Sequence, residues 1–138
     1  MPLCQVFIWK SKKFLMPNRI LIVDDDEMVL RALDSFLSDQ QYLIQTVDRA
    51  EKIEVAVSRF APELIILEIR LDTSDGRLIC DDLKSSSKTA HIPIVLLTAL
   101  NHREIALIEC QADAIIGKPF EGSSLLPTIR DLINNKFP

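Results

Sequence analysis

Short apolar runs that end abruptly in polar residues recur along the chain. Ile20-Leu21-Ile22-Val23 runs into Asp24-Asp25-Asp26-Glu27, and Leu64-Ile65-Ile66-Leu67 runs into Glu68. The stretch from His91 to Leu97 runs into Thr98-Ala99. Runs of this length, bounded by turn residues, predict strands buried on both faces, as in the middle of a parallel sheet. Tyr42 to Val47 and Ala112 to Ile116 predict two more, the latter ending in Gly117-Lys118-Pro119-Phe120. Pro93 falls near a strand start, where a missing ladder donor matters least.

Helical spacing fills the gaps. Val29, Ala32, Leu33, Phe36 and Leu37 fall at i, i+3, i+4, i+7 and i+8, which predicts a helix after the first strand. Asp48-x-x-Glu51 has the form of a capping box, opening a helix with a stripe of Ile53, Ala56, Val57 and Phe60 that Pro62 stops. A third helix is expected from about Arg77 to Lys84. A fourth, capped by Asn101-x-x-Glu104, carries Ile105 and Ile108. The last carries Leu125, Leu126, Ile129, Leu132 and Ile133, with Pro127 expected in its first turn, where a proline costs little.

Five strands alternating with five helices predict a doubly wound α/β domain. Right-handed crossovers leave few topologies, and the flavodoxin-like order 2-1-3-4-5 puts the Glu68 strand at the centre, beside the Asp24 strand. At 138 residues the chain is long enough for one such domain and too short for two. The pattern begins at Asn18. Residues 1–17, whose apolar stretch Val6-Phe7-Ile8-Trp9 is too short for a signal-peptide core, read as a disordered or loosely docked extension or as a start assigned too far upstream. The domain proper is 18–138.

Composition narrows the function classes. A net charge of −4 argues against nucleic acid as the partner. No apolar run is long enough to span a membrane. Cys4, Cys80 and Cys110 are odd in number and show no metal-finger spacing, which points to a reducing, cytoplasmic home. His91 and His102 are not at a ligand spacing and read as surface residues.

In open α/β sheets ligands sit beyond the carboxyl ends of the strands. That edge is expected to gather Asp24, Asp25, Glu68, Thr98 and Lys118. Clustered carboxylates repel one another unless a cation sits among them, and oxygen ligands of this kind suit Mg²⁺. A lysine and a threonine hydroxyl facing that cation could clamp a phosphoryl group. Asp26 and Glu27 are more simply explained as helix-start residues.

The residues from Asn18 to about Lys136 resemble a response-regulator receiver domain, the phosphoacceptor module of two-component signalling. The matching segments are Ile20 to Asp26, Pro62 to Leu67, Asp75-Gly76, Ile92 to Ala99 and Lys118-Pro119-Phe120, in the family's order and spacing. The resemblance implies that Asp24 and Asp25, with the Arg70 backbone carbonyl, face Mg²⁺, that Thr98 contacts the phosphoryl group and that Lys118 pairs with the acceptor. Glu68 stands where the family carries the aspartate that a histidine kinase phosphorylates. It implies no enzymatic activity of its own. The expected partners are a histidine kinase, a phosphotransfer protein or a downstream output protein. The expected dimer or partner surface is the face of the fourth helix, fifth strand and fifth helix. With no output domain after Pro138, a stand-alone receiver is expected.

Glu68 departs from the pattern. Its extra methylene carries the carboxylate about 1.5 Å further out, an error that costs on the order of a hundredfold in an in-line transfer. It also places charge where a phosphoryl group on a shorter aspartate would sit, with −1 in place of about −1.5 to −2. Three readings stay open: a phosphorylation-independent module in which Glu68 imitates phospho-aspartate, slow phosphorylation at Glu68, or a structural Glu68–Lys118 ion pair. Mg²⁺ is the expected cofactor, bound weakly, and no affinity for it below the millimolar range would support the ion-pair reading. Asp72, where the family usually has proline, is expected to loosen its loop. Gln111 stands for a usual glycine, and Ile115 for an aromatic that often swings on activation. A rival from another class is a small haloacid-dehalogenase-like phosphohydrolase, for which Asp24-x-Asp26, a threonine and a lysine are the right chemical set.

Overall fold

The structure, a computed structural model, describes residues 18–105 and 109–135. The readings on residues 1–17, Cys4 and Ile108, and on the side chains of His102 and Ile105, lie outside what it describes. The apolar runs form strands β1 (Arg19–Val23), β2 (Leu43–Val47), β3 (Leu64–Glu68), β4 (Ile94–Thr98) and β5 (Ala114–Gly117). They pair in parallel in the order β2-β1-β3-β4-β5. Every residue of the central β3 and of β4 is buried, whereas the edge strands β2 and β5 are only partly covered. This is the doubly wound, flavodoxin-like sheet that the pattern predicts.

Successive side chains along a strand point to opposite faces, and the core divides accordingly. One face joins Leu21, Ile65, Leu67 and Leu96 to Ile53 and Ala56 of α2 (Ile53–Phe60) and to Cys80 of α3 (Gly76–Ser85). The other joins Ile22, Leu64, Ile66 and Val95 to Leu33 and Leu37 of α1 (Glu27–Asp39) and to Leu125 and Ile129 of α5 (Gly122–Asn134). Each fully buried Leu or Ile contributes about 1.5–3 kcal/mol of transfer free energy. Among the described residues these four helices are joined by a single turn, α4 (His102–Ile105). Its start carries the expected capping box: the Glu104 N–H donates to the Asn101 side chain at 2.8 Å and the Asn101 N–H to Glu104 at 3.2 Å.

Four local expectations need correction. Asp48 does not cap α2. Its carboxylate takes Lys52 and Arg49 instead, and a 3-10 turn, Ala50–Lys52, precedes the helix. Pro127 lies inside α5, past the first turn, because the helix already starts at Gly122. Pro127 and Ser123 are both exposed, so the carbonyl left without its N–H donor reaches water. In α1 the buried stripe is Leu30, Leu33 and Leu37, with Ala32 exposed, so the face is turned slightly from the expected one. The loop at Asp72 is tied down by a backbone bond described below. His91 is exposed, as expected.

Cys80 is fully buried between α3 and the sheet. Burial, the largest influence, pushes its thiol from an ordinary 9.0 up to about 12. The fold holds the neutral thiol, so this contribution to stability is complete below pH 9.0 and is lost as pH rises toward 12. Urea unfolding is therefore expected to weaken from about pH 9, by up to about 1.4 kcal/mol per pH unit. Cys80→Ala is expected to flatten that limb, and an alkaline slope identical to wild type would contradict the assignment.

Candidate functional site at the carboxyl edge of the sheet

The strand tips carry the candidate residues because each apolar run stops where the strand leaves the sheet. Asp24, just after β1, is 1% exposed, and Glu68, the last residue of β3, is 6% exposed. Carboxylates that deep need partners. One oxygen of Asp24 accepts the Asp26 N–H at 2.8 Å, and the other accepts the Lys118 ammonium at 2.8 Å. Glu68 accepts the Arg70 N–H at 3.2 Å through Oε1, and its Oε2 contacts the same Lys118 Nζ. Lys118, the residue after β5, thus bridges the tips of β1 and β3.

The charges respond to this burial. Desolvation, the largest influence on Asp24, raises its pKa, and Lys118 and the Asp26 N–H only partly pull it back. Burial also works against the Lys118 ammonium, but the two carboxylates outweigh it and hold its pKa above the usual lysine value.

Thr98, 1% exposed, ends β4, and its hydroxyl accepts the Leu100 N–H at 3.1 Å. Its carbonyl accepts the Lys118 N–H at 2.6 Å, which seats the lysine beside it. Asp25 behaves differently. It is exposed, and its Oδ2 accepts the Asp72 N–H at 3.0 Å. Asp72 lies in the left-handed region, φ 46°, a conformation that Asp tolerates better than most residues. The expected loosening of this loop is therefore replaced by a tie between the β1 tip and the loop after β3. Arg70 is exposed and pairs with Asp75 in a two-residue hairpin, Arg70–Leu71 against Ser74–Asp75. Asp26 caps α1, accepting the Met28 N–H at 2.9 Å, and Glu27 pairs with Arg31 on the helix surface.

Two features escaped the sequence reading. Gly76 opens α3 hard against β3, its N–H donating to the Ile69 carbonyl at 2.6 Å. Asp113 accepts both the Ile94 N–H at 2.8 Å and the Lys84 ammonium at 2.7 Å, fixing where β4 begins. The Asp75-Gly76 pair was a signal for the first. The second depends on residues 19 apart in sequence and left no local sign. A groove lined by Ile53, Val57, Pro62 and Leu83 opens near Arg19 and Ile92, at the other end of the strands from the acids.

The donor chemistry at the tips suits Mg²⁺, but the arrangement does not. Lys118 occupies oxygens of both Asp24 and Glu68, Asp25 is engaged with its loop, and among the described residues no three acidic, histidine or cysteine side chains converge as a metal site.

The family model described as the response regulator receiver domain matches residues 20–130, and the chain belongs to that family. It is 33% identical over 123 residues to the response regulator PleD of Caulobacter vibrioides, a match covering 88% of this chain and 27% of PleD. A solved response regulator from Chloroflexus aurantiacus superposes with a TM-score of 0.79 at 27% identity, covering 86% of this chain and 99% of that one. The BeF3-activated receiver domain of Klebsiella pneumoniae RstA gives 0.74 at 30% identity, covering 84% and 98%. The chain spans only 19% to 48% of the length of the curated relatives it matches. It is a receiver domain of two-component signalling. Receivers are in general signalling domains without enzymatic activity and bind Mg²⁺ at an acidic pocket. No helix among the described residues is long and apolar enough to cross a membrane.

Proposed function

We propose that this receiver signals without being phosphorylated, using Glu68 as a fixed negative charge where other receivers acquire one on aspartate. The observation that carries this reading is the Lys118 ammonium bonded to both Glu68 and the buried Asp24. In such a site a phosphorylated aspartate would present its outer oxygens to the same lysine, and Glu68 already reaches it. Thr98 lies buried at the neighbouring tip, and in this reading it answers to the charge at Glu68. Ile115 is half-buried against the core in place of a swinging aromatic, which suits a module held in one state. Output then comes from protein–protein binding on the face of α4, β5 and α5, to a histidine kinase, a phosphotransfer protein or a downstream output protein, or to a second copy of the chain.

Incubation with acetyl phosphate and Mg²⁺, followed by intact mass, tests the reading. Wild type is expected to show no phosphate adduct. A stoichiometric adduct that disappears in Glu68→Gln would overturn it in favour of slow phosphorylation.

The same Lys118 contact supports a second reading, in which Glu68 and Lys118 form a structural ion pair with no signalling role. Binding of a captured partner by Glu68→Gln as tightly as by wild type would favour that one. A loss of about tenfold or more, with the fold intact, supports the first.

A further inference from the structure

The three acids at the strand tips are all engaged by groups of the chain itself. Asp24 is held by the Asp26 N–H and Lys118, and Glu68 by the Arg70 N–H and Lys118. Asp25 is held by the Asp72 N–H at 3.0 Å. Mg²⁺ demands near-octahedral geometry at about 2.0–2.1 Å and sheds water reluctantly, so it competes poorly for oxygens that already have partners. An ammonium within 2.8 Å of Asp24 also repels a dication directly.

The Asp72 N–H is the removable half of the arrangement. It points at Asp25 because Asp72 sits at φ 46°, outside the range open to proline. The opposing half, Lys118, is anchored by the Thr98 carbonyl through its own N–H.

We propose that this receiver holds its acidic tips in place without a divalent cation, with the Lys118 ammonium and the Asp72 N–H standing where a metal ion would otherwise neutralise and orient Asp24, Asp25 and Glu68. This deepens the reading of the same site given above, and needs Glu68 only as a partner of Lys118, whatever its reactivity.

The test is a Mn²⁺ titration of the full chain followed by electron paramagnetic resonance, with no phosphodonor present. Wild type and Asp72→Gly, which keeps the N–H and the left-handed conformation, are expected to show no saturable one-to-one site below millimolar Mn²⁺. Asp72→Pro, which loses both, is expected to bind Mn²⁺ measurably more tightly than Asp72→Gly as Asp25 is released. Saturable submillimolar binding by wild type would overturn the proposal, and that measurement stands even if the proline variant does not fold. Equal affinity of a folded Asp72→Pro and Asp72→Gly would overturn the part assigned to the Asp72 N–H. Labelling of Glu68 by acetyl phosphate is read separately, so failure of the phosphorylation-independent reading and failure of this one give different results.

Discussion

Lys118→Met is expected to lose about 3–5 kcal/mol of stability at neutral pH. The ammonium bridges Asp24 and Glu68, whose residues are 1% and 6% exposed, so its removal leaves two carboxylates facing each other away from water. Asp24 already has a raised pKa from burial with the lysine present. Without the lysine, burial and repulsion from the Glu68 charge push the Asp24 carboxyl further up. Raised carboxyl pKa values favour the fold at low pH, and that advantage is lost as pH rises through them. The deficit of the variant should therefore be largest at pH 7 and shrink as the buffer is acidified toward the carboxylate range. Urea unfolding at several pH values reads this directly. Adding Glu68→Gln to Lys118→Met removes one of the stranded charges and should recover part of the loss, a coupling that a double-mutant cycle isolates. A loss under about 1 kcal/mol, the range of an exposed ion pair, would show that the lysine is not held as described.

The sheet was legible because strands buried on both faces are written as continuous apolar runs, so Ile20 to Val23, Leu64 to Leu67 and Ile94 to Leu97 declare themselves. Polar residues that end such runs fall at one edge once the topology is fixed, and that alone brings Asp24, Glu68, Thr98 and Lys118 within reach of one another. Local signals failed where another partner, near or far in sequence, outbid them. Asp48 has the sequence of a cap, yet Lys52 and Arg49 lie close enough to take its carboxylate. Pro127 reads as a first-turn residue, yet Gly122 packs under the ring of Phe36 and the helix starts there. The tie from Asp25 to Asp72 joins positions 47 residues apart through a backbone N–H that no side-chain pattern advertises. Ala32 shows a different limit: a small apolar residue fits either the edge of a buried stripe or the surface, and Leu30 with its larger area took the core.

Gly76→Ala is expected to be among the most damaging single-methyl additions, costing about 3 kcal/mol or more, at or beyond the upper end of overpacking effects. Its φ is not the reason, since no glycine lies at positive φ among the described residues. The reason is space. A Cβ there would meet the Glu68 carbonyl oxygen at 2.2 Å, the Glu68 carbonyl carbon at 3.0 Å and the Ile69 Cα at 3.0 Å. All three are backbone atoms of the central strand or the residue following it, so none can turn aside as a side-chain tip would. Relief requires the start of α3 to back away, which breaks the 2.6 Å bond from the Gly76 N–H to the Ile69 carbonyl. That movement would carry the Arg70–Asp75 hairpin and the Asp72 N–H with it, loosening Asp25. Gly117→Ala is the matched control: its nearest contact would be the Thr98 carbonyl oxygen at 4.0 Å, an ordinary approach, and alanine in a strand differs from glycine by only about 0.5–1 kcal/mol. The contrast between the two variants in urea midpoint measures the close approach of α3 to the Glu68 tip. Similar midpoints for both would mean that α3 has room to shift and that the site does not depend on this contact.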